Sequence, residues 1–196
     1  MSASLRQPVP TTVAQFLEWR PADGQRWELM DGTPRALPVR KVGQGAILSE
    51  LAALLANHLL GRDSPCTVVT APGVVPRVRA ASNLRVPDLA VTCAPVGPTD
   101  PHLADPVLIV EILSPSNQAE TWANVWTYTT IPSVREILVV HLVAMPAELL
   151  RRSPDGARPA EPVAVTEGGE LALDSIGLRL PVAALYRTAP PLTIGG

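Results

Sequence analysis

Two carboxylates stand where apolar strands are expected. Asp88 lies in "RVPDLAV", directly after a proline and just ahead of an apolar run. Glu111 lies inside "PVLIVEILSPSN", a run otherwise nearly free of polar side chains. An ionised carboxylate taken out of water without a partner is costly, and burial raises its pKa instead. A strand that carries one therefore supplies it with a cation, a hydrogen-bond network or a metal. Adjacent strands lie about 5 Å apart, so in suitable register Asp88 and Glu111 reach one point. That geometry suits a hard divalent cation, since Mg²⁺ takes one or two carboxylates and keeps several waters. An ion so held can activate a water and stabilise a phosphoryl oxyanion. Glu28, in "RWELMDG", begins another expected strand and can join from the side. The plainer alternative for Glu111 is a buried pairing with an arginine such as Arg85 or Arg135.

The elements that must position these groups follow from local patterns. "PTTVAQFLEW" predicts a helix, with Thr12 and Gln15 at capping-box spacing. "RWELMDGTPRAL" predicts a hairpin turning at Asp31-Gly32. "GAILSELAALLANHLLG" predicts a helix that stops at Gly61. Its apolar residues run almost all round, which implies a central helix packed on more than one side. Four strand-like runs follow: "CTVVTAPGVVP", "VPDLAVTC", "PVLIVEIL" and "REILVVHLV". Between the last two, a helix is expected from Gln118 to Thr130, with Asn117 as its N-cap and Glu120 three residues on. Strand, helix and strand in that order make a right-handed crossover with the two strands parallel. The tail adds short strands, "AELLRR", "PVAVTE" and "ELALD", and a helical turn "VAALY". The expected class is α/β (α+β), one mixed central sheet flanked by helices. A single domain over 11–187 is expected, with loose ends at 1–10 and 188–196.

Composition bounds the function classes. The chain has 196 residues, 46% of them hydrophobic and 17% charged, with a net charge of −2. A bulk polyanion binder is excluded by that balance, so any nucleic-acid contact needs a local basic patch. Arg77 and Arg79 alternate in "VPRVRAASNLR" and, with Arg85, form such a cluster if the segment is extended. A solvated loop is the equal alternative. Cys66 and Cys93 are the only cysteines; read as isolated thiols, they point to a reducing cytoplasm. The opening "MSASLRQPVP" has no apolar core of a secretory signal, and no run is long and apolar enough to suggest a membrane span.

The ordered set "ELMDG", "RVPDLAV", "VEILSPSN", a helix and "VREILVV" resembles the bacterial Uma-type restriction-endonuclease family of the PD-(D/E)XK nuclease superfamily. The resemblance spans roughly Thr11 to Leu142. It implies a restriction-endonuclease-like fold and Mg²⁺-dependent hydrolysis of nucleic-acid phosphodiesters, DNA first, with Mn²⁺ as a substitute ion. It implies Asp88 and Glu111 as metal ligands, the Ile112 carbonyl as a backbone ligand, and Glu28 at the family's early acidic position. The superfamily lysine is expected two residues after Glu111, where Leu113 stands. In this family it lies on the following helix, one turn before a tyrosine. Tyr128 matches that tyrosine, and Asn124 stands in the lysine's place. An amide orients a water by hydrogen bonds but brings no positive charge. Gln44 occupies the place of a family histidine near the start of the long helix. A duplex cut on both strands implies a homodimer. Other readings are a catalytically weak nuclease-fold binding or assembly module, and a hydrolase of another phosphoester.

Overall fold

The computed structural model describes residues 9–143, 147–157 and 161–188. The chain ends expected to be loose lie almost wholly outside these. The first helix, α1 (Val13–Glu18), forms where its cap predicts, with Thr12 Oγ1 accepting from the Gln15 N–H at 3.3 Å. The hairpin β1 (Trp27–Met30) and β2 (Thr33–Ala36) turns at Asp31-Gly32, both with positive φ, as an Asp-Gly turn requires.

The centre is a six-stranded sheet in the order β3 (Thr67–Thr70), β4 (Leu89–Thr92), β5 (Pro106–Leu113), β6 (Glu136–His141), β7 (Ala147–Arg151) and β8 (Val163–Val165). All neighbours are antiparallel except β5 and β6. That pair is parallel and is joined over helix α3 (Gln118–Tyr128), because parallel strands need a crossover. The helix thus ends two residues before the expected Thr130. A second hairpin, β9 (Glu170–Leu173) with β10 (Leu178–Pro181), and a 3₁₀ turn at Val182–Tyr186 complete the fold. Of these, β10 was not among the expected strands.

Side chains alternate along β5. Leu108, Val110 and Ile112 enter one core with Ile47, Leu51 and Leu55 of the long helix α2 (Val42–Leu60). Ile109 and Leu113 enter the other core with Val125 and Tyr128 of α3. Glu111 lies between those two, so the period of two sends its carboxylate toward α3.

The helix α2 packs on more than one side, as expected: Ile47, Leu51, Leu55 and Leu59 are buried, Leu48, Ala52 and Leu54 pack against the same core as Val182 and Leu185, and between its ends only the stripe Ser49, Ala53 and Asn57 is exposed. Three expectations need correction. The run "CTVVTAPGVVP" keeps its strand only to Thr70, since Ala71 takes a left-handed φ of 51°; Val74 then makes an isolated bridge to Arg85. Asn117 does not cap α3 with its side chain. Its Oδ1 turns back to accept from the Ser114 N–H and Oγ, each at 2.8 Å. Finally, Cys66 and Cys93 form a disulfide. They flank the Thr67↔Thr92 pair of the β3–β4 ladder, so the register brings them together although they are distant in sequence. The inference from free thiols to a reducing compartment therefore loses its basis. Among the described residues, no helix is long and apolar enough to cross a membrane.

Candidate metal and active site

The last β4–β5 pair is Leu89↔Val110. One step further, the register sets Asp88 opposite Glu111, and directly opposed residues share a sheet face with Cβ atoms about 5 Å apart. Asp88 Oδ2 accepts from the Ile112 N–H at 2.8 Å, satisfying a strand amide that β4 is too short to reach. The N–H and C=O of one strand residue leave on the same edge. The Ile112 carbonyl therefore faces the Asp88 side as well.

Both carboxylates border a small pocket of about 90 Å³. The hairpin contributes Glu28, α2 contributes Gln44, and α3 contributes Glu120, Thr121 and Asn124. Buried Tyr128 donates its hydroxyl to Glu111 Oε1 at 2.9 Å. Asn124 is buried against the pocket, and its Oδ1 has no hydrogen-bond partner among the described residues. Gln44 is present but committed: its Oε1 accepts from the Lys41 N–H at 3.0 Å and holds the start of α2. Glu120, expected only as a cap, instead stands as a fourth acidic group at the rim.

The pairing foreseen for Glu111 belongs to Glu28. Arg85 Nη1 lies 3.6 Å from Glu28 Oε1, with both side chains buried. Arg85 thus cannot reach a phosphate. Arg79 adopts a left-handed φ of 49° ahead of the Ala80–Ser82 turn and pairs with Asp31 at 3.1 Å. Arg77 is exposed, with its N–H bonded to Thr130 Oγ1. The segment is not extended, and none of the three borders the pocket, so the expected basic cluster does not form there. The arginines that do border it are Arg26 and Arg40. Sequence reasoning missed both. For Arg26 a signal existed, because it stands two residues ahead of Glu28 on the same side of an extended segment.

Burial pushes the Glu111 carboxyl well above the usual carboxylate range. The adjacent Asp88 raises it further, and the Tyr128 hydroxyl opposes both. Burial also raises Glu28, against the pull of Arg85. Tyr128 is held well above the ordinary phenol range by burial and then by Glu111. A carboxyl with a raised folded pKa binds its proton more tightly folded than unfolded. Its contribution to stability is fully present below the unfolded value of about 4.3 and is lost as pH rises through the folded value. With divalent ions chelated, Tm is expected to fall between pH 5 and pH 8, and Glu111→Gln is expected to flatten that fall by a few degrees. Thermal melts at the two pH values check this; identical slopes for the wild type and Glu111→Gln would refute it.

The donor set fits a hard cation. Among the described residues, both Glu28 oxygens, ion-paired with Arg85, are buried without a hydrogen-bond partner, and so is Asn124 Oδ1. Among the described residues no three acidic, histidine or cysteine side chains group tightly enough to enclose an ion by themselves. Mg²⁺ does not demand that, since one or two carboxylates, a carbonyl and waters suffice.

Comparison with known proteins gives three findings. A family model, Uma2, described as "Putative restriction endonuclease", matches residues 13–183. An uncharacterized protein of Synechocystis sp. is 27% identical over 175 residues, covering 88% of this chain and 90% of that protein. The crystal structure of a "putative nuclease belonging to DUF820" from Anabaena variabilis is similar with a TM-score of 0.71. It is 17% identical and covers 90% of this chain and 98% of its own, a likeness of fold.

Proposed function

Because the chain belongs to the Uma2 family of restriction-endonuclease-like proteins, we propose that it is a metal-dependent nuclease hydrolysing nucleic-acid phosphodiesters, DNA first, with water as nucleophile. The observation that carries this reading is the register that sets Asp88 opposite Glu111, beside the buried Glu28 carboxylate that Arg85 pairs without a hydrogen bond. Asp88, Glu111 and the Ile112 carbonyl would hold Mg²⁺, or Mn²⁺ in its place, with Glu28 joining from the side. When bound, such an ion lowers the pKa of a ligated water and neutralises charge on a phosphoryl oxygen. Tyr128 fixes the rotamer of Glu111 through its hydroxyl. Asn124, with an unused carbonyl oxygen, orients the attacking water by a hydrogen bond. Cutting both strands of a duplex calls for two such sites, which a two-fold homodimer supplies.

One observation favours a second reading. Asn124 carries no charge where the family resemblance implies a lysine, which suits a catalytically weak binding or assembly module. A thermal melt with and without Mn²⁺, run beside a plasmid-nicking assay, separates the readings. At an ion concentration of about 100 Kd the wild type gains about 2.7 kcal/mol, or roughly 5–10 °C in Tm. Asp88→Ala loses that shift and the nicking together. Equal shifts in the wild type and Asp88→Ala would place the cation elsewhere and overturn the metal site. A wild-type shift without nicking selects the binding module.

A further inference from the structure

Both Asp88 oxygens are already engaged. Arg40 places Nε 2.8 Å and Nη2 2.7 Å from Oδ1, and the Ile112 amide takes Oδ2. A divalent ion on Oδ1 at about 2.1 Å and a guanidinium on the same oxygen would set like charges side by side. Arg40 must therefore move when Oδ1 takes an ion. Its surroundings show where it can go. The chain segment Leu37–Arg40 lines the carboxylate pocket on one side. On the other side, with Gly24–Arg26, it lines an open groove of about 750 Å³. Arg26 and Arg40 border both spaces. Arg26 makes no ion pair among the described residues. Two guanidinium groups that border the same two spaces repel each other, an anion between them relieves that repulsion, and their planar forks match phosphate oxygens in pairs.

We propose that Arg40 has two positions: on Asp88 in the ion-free protein, and, with Arg26, on a backbone phosphate of a nucleic-acid strand lying in the adjacent groove once Asp88 engages a divalent ion. The inference rests on the nuclease reading and adds to it a strand path and a coupling. Ion binding frees the guanidinium that captures the strand, and the strand in turn holds that guanidinium away from Asp88. By linkage the ion and the strand strengthen each other equally.

Two titrations on Arg40→Gln, Arg40→Lys and Arg26→Gln test this, with folding checked by circular dichroism. The first is Mn²⁺ binding by calorimetry without nucleic acid. Arg40→Gln is expected to bind Mn²⁺ about tenfold tighter than the wild type, because the competing cation is gone, while Arg26→Gln changes little. The second is the anisotropy of a labelled single-stranded oligonucleotide, with Ca²⁺ as an ion that supports binding without cleavage. The wild type is expected to bind more tightly with Ca²⁺ than without. Arg40→Gln loses most of that gain, and Arg40→Lys recovers part of it. Arg26→Gln weakens binding with and without Ca²⁺ and makes it less salt-dependent, as the loss of one phosphate contact does. Unchanged or weaker Mn²⁺ binding by Arg40→Gln overturns the competition, and wild-type oligonucleotide affinity in both glutamine variants overturns the phosphate clamp. A wild type that binds no Mn²⁺ fails the nuclease reading and this inference with it. A wild type that binds Mn²⁺ as tightly as Arg40→Gln fails the inference alone.

Discussion

Arg85→Ala is expected to destabilise the protein by about 3–5 kcal/mol, the usual effect of removing one partner of a buried ion pair. In a chain of this length that is a Tm loss of roughly 6–20 °C. The side chains of Arg85 and Glu28 are only 5% and 1% exposed, and they meet at 3.6 Å. Among the described residues neither Glu28 oxygen has a hydrogen-bond partner, and neither do Nε and Nη1 of Arg85, so charge attraction is the main tie between them. Without Arg85 the carboxylate is buried and unpaired, and its cheapest response is to take up a proton. The loss should therefore be larger at pH 8 than at pH 5. The double variant Glu28→Gln/Arg85→Ala should recover part of it, because a neutral amide costs less to bury than a charge. Urea melts of the three variants at both pH values measure this. A loss under about 1 kcal/mol that does not change with pH would mean the pair is not coupled as the geometry indicates.

The same pair marks where sequence reasoning stops. What it reached rests on short-range signals: the capping box at Thr12 and Gln15, the Asp-Gly turn, and strand alternation around Glu111. Each is written within a few residues and survives in the fold. The convergence of Asp88 and Glu111 was legible for the same reason, since consecutive apolar strands tend to pair. The fate of Arg85 was not legible. Its partner comes from the hairpin, carried there by the Leu29↔Leu84 bridge and by Asn83, whose side chain bonds the Asp31 N–H and carboxylate. An alternating arginine pattern cannot reveal that Arg79 turns left-handed or that Arg85 points inward. The disulfide was hidden in the same way, because only the β3–β4 register makes Cys66 and Cys93 neighbours. Arg40 lies in a connection before α2, where no periodicity assigns a direction to its side chain.

Asn124→Lys is expected to raise plasmid nicking by roughly 10–100-fold under the nuclease reading. Removing a single well-placed donor from an active site costs about 10²–10³ in rate, and restoring one in a site built for another residue should recover part of that. The pocket can accept the change. Asn124 already faces Glu28, Asp88, Glu111 and Glu120, and its Oδ1 forfeits no hydrogen bond on replacement. An ammonium there meets carboxylates, so it need not be buried unpaired. The same charge repels a divalent ion, and Mn²⁺ affinity should fall a few-fold while the rate at saturating ion rises. Asn124→Met serves as the control, with similar length and no charge. The measurements are nicking rates at saturating Mg²⁺ for the wild type and both variants, beside their Mn²⁺-induced shifts in Tm. Equal rates for lysine and methionine would show that a cation at this position contributes nothing. A lysine variant whose Mn²⁺ shift vanishes would show that the ammonium closes the carboxylates to the ion. Either result would show that an ammonium at this position does not serve catalysis in this pocket. A rise seen with lysine alone shows that a positive charge at this position serves cleavage.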